Sequence, residues 1–520
     1  MDGQLGSSPE TGFEAAIDAV GESSLTAVFG KTYGPRTGYA LVMPEINPEY
    51  ERTLYATFQR ALSYLQGLDH TPVLATADLT SLRNRLGKEL SDQGLAPEQV
   101  IAELVADVEG GILGCASGRF FGWAIGGSLP AAIAADWLTT TWDQNAALYA
   151  CGPAAAVVEE IAGRWLKELL GLPEYAAFAL VTGCQMAHVT CLAAARHGLL
   201  ARRGWDIEQQ GLSGAPRIRI LANAQRHGSV ERAVRLLGLG SSQIVGLPTD
   251  TFGRVQPEDL DYELRRDAAS PTIAILQAGE INTGACDPFR ALVPIAKNHG
   301  AWVHVDGAFG LWAGASPGFK HFVEGVEMAD SWATDGHKWL NVPFDSGYAF
   351  VRDAEAHRAA MSHRAPYITA NIEARDQIDW NPEWSRRARG FPTYAALRQL
   401  GREGVASLVE RCCAHAHSLV TRIGNLRGAK VLCEPTINQG LVQFLDPNPN
   451  AVESDHARYT DEVIAAIQAT GEAFFTGSDW NGHRVMRVSV CNWRTSDEDV
   501  NRAVCAVAKT LANRATNQIR

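Results

Sequence analysis

Between about Ala176 and Asp353, short apolar runs of β-type residues alternate with helical segments. This alternation constrains the fold more than any other feature of the chain. The runs are AAFALVTG, RIRILAN, TIAILQAG, AWVHVDG, DSWATDG and GYAFVRD, interleaved with a helix ending near Leu200 and the segments SVERAVRLLG and FRALVPIAKNHG. Strands apolar along their whole length need cover on both faces, which βαβ crossovers provide. The pattern predicts a largely parallel sheet between helices. Ligands of such sheets sit outside the carboxyl ends of the strands, so the residues just after each run are the candidates for function.

The flanks read differently. Residues 1–45 are rich in Gly, Ser and Pro and predict an irregular leader. From about Pro48 to Gly110 apolar residues recur at helical spacing, and AAAVVEEIAGRWLKELLGL is a further amphipathic helix closed by Gly171 and Pro173. Between them CASGRFFGWAIGGSLP reads as a loop whose glycines and aromatics suit close approach to a ligand. After a connection at 354–394 come a helix over roughly Tyr394–Gly424 and strands AKVLCEP, GLVQFLD and HRVMRVSV. The helix DEVIAAIQATG precedes the third strand, and a last helix is opened by Thr495-Ser496-Asp497-Glu498, a capping pattern. The expected organisation is an N-terminal leader and helical segment (1–125), a large α/β domain (126–365), and a loop with a small C-terminal α+β domain (366–520).

Composition excludes several functions. The 520 residues carry 46 Lys and Arg against 58 Asp and Glu, a net charge of −12. That balance, with no basic block, argues against a nucleic-acid partner, whose binding needs clustered cations. No apolar run approaches the ~20 residues that span a bilayer, and the acidic start MDGQLGSSPE lacks the basic flank of a signal peptide. Ten cysteines without a C-x-x-C pair fit reduced thiols. The expectation is a soluble cytoplasmic protein with no membrane partner. Only eight of the 46 basic residues are lysines, so a lysine among apolar neighbours needs a reason.

Four short stretches carry the chemistry. Lys338 lies in DGHKWLNVPFDSG between His337 and Trp339. It is either a surface lysine in a turn or an amine whose pKa burial lowers, ready for a Schiff base. Asp306 ends the run AWVHVD, where a carboxylate caps a helix, binds a metal or holds a proton on a heterocyclic nitrogen. Val181-Thr182-Gly183 ends a run just before a helix, whose free N–H groups and dipole suit a phosphate. It is neither G-x-G-x-x-G nor a Walker loop, so no dinucleotide is indicated. His227 follows another run, as a cap or as a planar group to stack on a flat cofactor.

With HVDGAFG, DGHKWLNVPFDSG, RHGSVERA, AGEINTGACDP and, more loosely, TGCQMAH with CLAAAR, the region from about Phe120 to Arg494 resembles the pyridoxal-phosphate-dependent decarboxylases of the aromatic-amino-acid, tyrosine and glutamate group. The resemblance implies a fold type I PLP-dependent transferase-like large domain and a homodimer with sites at the subunit interface. It further implies decarboxylation of an L-amino acid, aromatic or otherwise neutral, to the amine and carbon dioxide. By the same resemblance Lys338 would carry the cofactor, Asp306 would pair with the pyridine nitrogen, His227 would stack on one ring face and Ala308 would lie under the other. Cys184 and Gln185 would hold the phosphate, with Asp335 and His337 nearby. Tyr367 would return a proton to the substrate carbon, Arg487 would lie near the site, and Phe120, Phe121 and Trp123 would shape the substrate pocket.

The chain departs from the family pattern at Cys184-Gln185-Met186 in the phosphate turn, at Gly336 before His337-Lys338, and at Gly279-Glu280-Ile281, where relatives read G-T-T. Glu280 is expected to disfavour a second acidic group on the substrate by like-charge repulsion. An aldehyde synthase, an aminotransferase, a carbon–carbon lyase or a catalytically silent binding relative are the alternatives on this scaffold. Cys412, Cys413, His415 and His417 are crowded, but successive helix positions diverge and a structural zinc takes four ligands, so no metal is expected.

Overall fold

The computed structural model describes residues 47–363 and 374–517. The chain falls into two compact units, residues 1–61 with 93–103 and residues 62–92 with 104–520. In the first, Tyr50, Leu54, Tyr55 and Phe58 project as exposed apolar side chains from the helix Pro48–Gly67, and Arg52 pairs with Glu98 at 3.4 Å.

The second unit holds two sheets. The larger has seven strands: β1 (Ala177–Val181), β2 (Arg219–Asn223), β3 (Ile244–Leu247), β4 (Thr272–Gln277), β5 (Trp302–Asp306), β6 (Ser331–Asp335) and β7 (Gly347–Val351). Their spatial order is β1-β7-β6-β5-β4-β2-β3. Only β7 runs against its neighbours, so the sheet is mainly parallel, as its apolar runs predict. Every residue of β2, β4, β5, β6 and β7 is buried, which is why these strands read as unbroken apolar runs. The edge strand β3 is short and half-exposed, and its four residues, IVGL, are apolar but too few to stand out as a run. The helix Cys184–Ala201, buried along most of its length, packs on β6 and β7. Asp306, Asp335 and Val181 all end strands at the same edge of the sheet, where β7 starts at Gly347.

The smaller sheet is antiparallel, with strands β8 (Ala429–Cys433), β9 (Gln439–Phe444), β10 (Thr476–Trp480) and β11 (His483–Ser489) in the order β10-β11-β9-β8. β10, TGSDW, is too polar to announce itself and is held by its ladder to β11. The helix Gly390–Gly424 breaks at Gly401, whose φ of 61° is one that glycine adopts without strain. The last helix, Asp497–Asn517, has the expected reciprocal cap: Ser496 Oγ accepts from Asp499 N at 3.2 Å and Asp499 Oδ2 accepts from Ser496 N at 2.9 Å. Among the described residues no helix is long and apolar enough to cross a membrane.

Candidate active site

Strand β6 delivers Asp335 to the edge of the sheet, and the turn after it brings Lys338 back over that carboxylate. Lys338 Nζ lies 3.2 Å from Asp335 Oδ2, while Asp335 Oδ1 accepts from Cys184 N, the first amide of its helix, at 2.5 Å. The phosphate turn and the lysine are therefore tied through one side chain. Burial opposes the charge on Lys338, but Asp335, Cys184 and Asp306 together raise its pKa above the ordinary lysine value. This corrects the expectation of a lowered pKa. Burial among apolar neighbours is visible in the sequence, whereas a carboxylate one helical turn away acts only once the turn is folded. Beside it His337 stacks on Phe344 at 4.2 Å, its Nδ1 2.9 Å from the carbonyl of Ser346. Gly336 belongs to the same turn: its N–H bonds to Ser346 O at 3.0 Å, and a Cβ there would collide with Ser346 Oγ and Tyr348 OH, so proline does not fit.

Asp306, 7% exposed, ends β5. Its Oδ1 accepts from Ala308 N at 3.2 Å and faces His188 Nε2 at 3.6 Å; neither group engages Oδ2. Burial works against its charge, yet His188, His227, Lys338 and the Ala308 amide outweigh burial and hold the carboxyl below its usual pKa. His188 and His304 were missed in the sequence. HVD draws the eye to its aspartate, and His188 is one residue of a helix otherwise lined with small apolar side chains.

His227 caps the helix Gly228–Leu236. Its Nδ1 accepts from Ser229 N at 3.2 Å and lies 2.8 Å from Ser229 Oγ. An amide N–H only donates, so the neutral ring carries its proton on Nε2. Desolvation, with Lys338 and Arg487, lowers the imidazole pKa against the opposing pull of Asp306 and Asp335. Arg487, on β11, is 8% exposed, and its Nε has no partner among the described residues. Burial lowers its pKa while Glu280 pulls it back up.

Asn341 joins the lysine turn to two distant segments. Its Oδ1 accepts from Gly127 N at 2.7 Å and from Trp493 N at 3.0 Å, and its Nδ2 donates to the carbonyls of Trp339 and Cys491, both at 2.9 Å. The side chain is fully buried and its φ is 56°, a conformation asparagine tolerates better than most residues. Asn341→Ala strands two buried N–H donors, and the expected loss of about 2–4 kcal/mol should appear as a lower thermal unfolding midpoint. An unchanged midpoint would show that water replaces the amide. No local sequence signal marks this residue, because three of its four partners are over 100 positions away.

Glu280 lies in the loop after β4. Its carboxylate folds into its own loop and accepts from Asn282 N, Asn282 Nδ2 and Thr283 N at 2.7–2.8 Å. It is fully buried, and burial raises its pKa above the usual carboxylate value despite those donors. A carboxylate so engaged caps its own turn, and from there its charge also reaches Arg487. Phe120 and Phe121 are also buried: their rings stack on Phe474 at 4.8 Å and on Phe475 at 5.2 Å, docking their loop on the smaller sheet. Trp123, half exposed, projects from that loop. Tyr367 lies outside the described residues. Cys412 and Cys413 are buried in the helix Gly390–Gly424. Among the described residues only Cys184, His188 and Asp306 bring three metal-competent atoms within 4.8 Å of one another, one short of a structural zinc set.

The residues fit pyridoxal phosphate on three counts. A buried amine, Lys338, shares the site with Asp306, a buried carboxylate held below its usual pKa whose Oδ2 is engaged by neither Ala308 nor His188. The buried Gln185 Nε2 has no partner among the described residues and lies at a helix N-terminus, where an anion is favoured. The open end of His227 is an N–H donor on a flat ring.

Comparison with known proteins agrees. The pyridoxal-dependent decarboxylase conserved domain matches residues 80–445. An aromatic-L-amino-acid decarboxylase of Bacillus atrophaeus is 25% identical over 465 residues, covering 88% of this chain and 94% of its own. A phenylacetaldehyde synthase of Petunia hybrida is 26% identical, covering 70% of this chain and 72% of its own. The fold is shared with Oryza sativa TDC, solved with PLP and tryptamine, at a TM-score of 0.84 and 23% identity over 91% of this chain and 99% of that one. Mouse CSAD superposes at a TM-score of 0.82, with 20% identity over 89% and 99%. With the domain match spanning most of its length, this chain belongs to the pyridoxal-dependent decarboxylase family.

Proposed function

We propose that the chain decarboxylates an L-amino acid with an aromatic or other neutral side chain, releasing the amine and carbon dioxide. The carrying observation is the convergence of Lys338, Asp306, His227 and the Cys184–Gln185 helix start at one edge of the sheet. When bound there, pyridoxal phosphate supplies an electron sink for the pair left on the substrate carbon. Lys338 would hold the cofactor, and Asp335 favours the proton its amine would have to give up. Asp306, through Oδ2, would hold a proton on the ring nitrogen, with Ala308 beside the ring. Cys184 and Gln185 at the helix start, the latter through Nε2, would hold the phosphate, with His337 nearby and Asp335 taking the Cys184 N–H. The neutral ring of His227 covers the cofactor and presents Nε2–H. Arg487, a buried cation whose Nε–H has no partner among the described residues, would hold the substrate carboxylate, and Trp123 would border its side chain. Tyr367 returns the proton to the substrate carbon.

The division at 1–125, 126–365 and 366–520, a homodimer with interfacial sites and a cytoplasmic location belong to the same proposal; all ten cysteines are free thiols, which suits a reducing compartment. A second reading, oxidative release of an aldehyde, is favoured by the similarity to a phenylacetaldehyde synthase. Incubation of the PLP-loaded protein with a panel of amino acids, with mass spectrometry of products and an oxygen electrode, separates the two. Amine and carbon dioxide in equal amounts without oxygen uptake are expected from aromatic or neutral substrates. Aldehyde with oxygen uptake would establish the second reading, and preference for aspartate or glutamate would overturn the substrate class.

A further inference from the structure

Behind Asp306 runs a buried line of polar side chains that the reaction itself does not use. Trp302 Nε1 donates to Ser331 Oγ at 2.9 Å, and the same oxygen lies 2.9 Å from His304 Nδ1. His304 Nε2 lies 2.9 Å from His188 Nδ1, and His188 Nε2 faces Asp306 Oδ1 at 3.6 Å and Cys184 Sγ at 3.5 Å. Ser331, His304 and His188 are fully buried and Trp302 nearly so. Apolar residues fill most of this core, so four aligned polar groups are costly to keep unless each is satisfied.

An indole N–H can only donate. Ser331 Oγ accepts it, and when its own hydrogen goes to His304 Nδ1 rather than to the neighbouring Cys191 the His304 proton lies on Nε2. That proton bonds to His188 Nδ1, leaving the His188 proton on Nε2. In this arrangement every contact has one donor and one acceptor, and the chain ends in an N–H facing Cys184 Sγ and Asp306 Oδ1. The reverse arrangement would turn a lone pair of His188 toward the carboxylate. Both imidazoles are neutral: burial and the neighbouring His188 push His304 down to about 3, and burial lowers His188 against the pull of Asp306. At 3.6 Å the last contact is too long for a hydrogen bond, but an N–H dipole at that range in a buried site still favours an anion.

We infer that Trp302, Ser331, His304 and His188 form a one-way hydrogen-bond chain that positions Asp306 and keeps it anionic as the partner of the cofactor's ring nitrogen. The inference deepens the decarboxylase reading and rests on it. The four are positioning residues. The other titratable groups that bear on Asp306 are His227, Lys338, Asp335 and Cys184, and all of these remain intact in the test.

The test compares PLP-loaded wild type with His188→Leu, His188→Gln, Ser331→Ala and Trp302→Phe, reading cofactor retained after dilution from about pH 5 to 8, with melting midpoints alongside. Removing a group that favours the anion raises the pH at which Asp306 is protonated. His188→Leu should therefore hold PLP about tenfold less tightly, with the acid limb of retention moved up by about one pH unit. His188→Gln, whose amide can donate in the same direction, should recover most of both. Ser331→Ala and Trp302→Phe should each shift the acid limb the same way by a smaller amount, and they decide the matter if His188→Leu does not fold. Variants that fold and retain PLP with the wild-type affinity and pH profile overturn the chain's role. A wild-type protein that retains no PLP overturns the decarboxylase reading as well.

Discussion

Lys338→Ala is expected to lower carbon dioxide release by more than about 10³-fold and to abolish borohydride-stable attachment of pyridoxal phosphate to the protein. The residue supplies a nucleophilic primary amine that no neighbour replaces, since the other basic groups reaching this part of the molecule are the imidazoles of His188, His227 and His337 and the guanidinium of Arg487. Lys338 is also half of an ion pair with Asp335 at 3.2 Å, so alanine removes a charge as well as a nucleophile. Lys338→Arg separates the two effects. It restores a cation beside Asp335 and should regain thermal stability lost in the alanine variant, while remaining inactive. Decarboxylation by either variant at more than a tenth of the wild-type rate, or a borohydride label on another lysine, would remove Lys338 from its assigned role.

Gly126→Ala should cost about 10²-fold in kcat although the residue touches no reacting group. The loop at 126–129 grips the lysine turn from behind: Gly126 N donates to His337 O at 3.2 Å and Leu129 N to Asn341 O at 2.9 Å. A Cβ on Gly126 would overlap the carbonyl oxygen of Lys338, with the carbonyl carbon at 2.9 Å and His337 O at 3.1 Å. These are backbone atoms, so neither side can yield by a rotamer change, and the lysine backbone must move. Displacement of a reacting group by about 1 Å is enough for a loss of that size. The overpacking should also lower stability by about 1–3 kcal/mol. The informative measurement is kcat in protein that still binds PLP; full activity there would mean that the lysine turn is not held by this loop.

The apolar runs exposed most of the larger sheet because its central strands are covered on both faces, so side-chain type reports burial directly. The same logic fails at β3, which is short and half-exposed, and at β10, whose residues are polar and whose place depends on main-chain pairing with β11. Phe120 and Phe121 illustrate the converse. Their apolar character was visible, but whether they face a substrate or the smaller sheet depends on Phe474 and Phe475, over 350 residues away.

Within the site, local pattern marked Lys338, Asp306, His227 and the strand-to-helix turn at Gly183, since each follows a strand and stands out from its neighbours. It could not assign the charge of Lys338, which burial alone would lower and Asp335 raises. Nor could it reveal that Glu280 is bound within its own loop, that Asn341 links segments near residues 127 and 493, or that His188 and His304 stand in line behind Asp306. Residue type and spacing determined which segments are strands and which groups can react, because both follow from interactions within a few residues. Protonation, hydrogen-bond direction and access were decided by the tertiary structure, because each depends on what a distant part of the chain places within 3–4 Å.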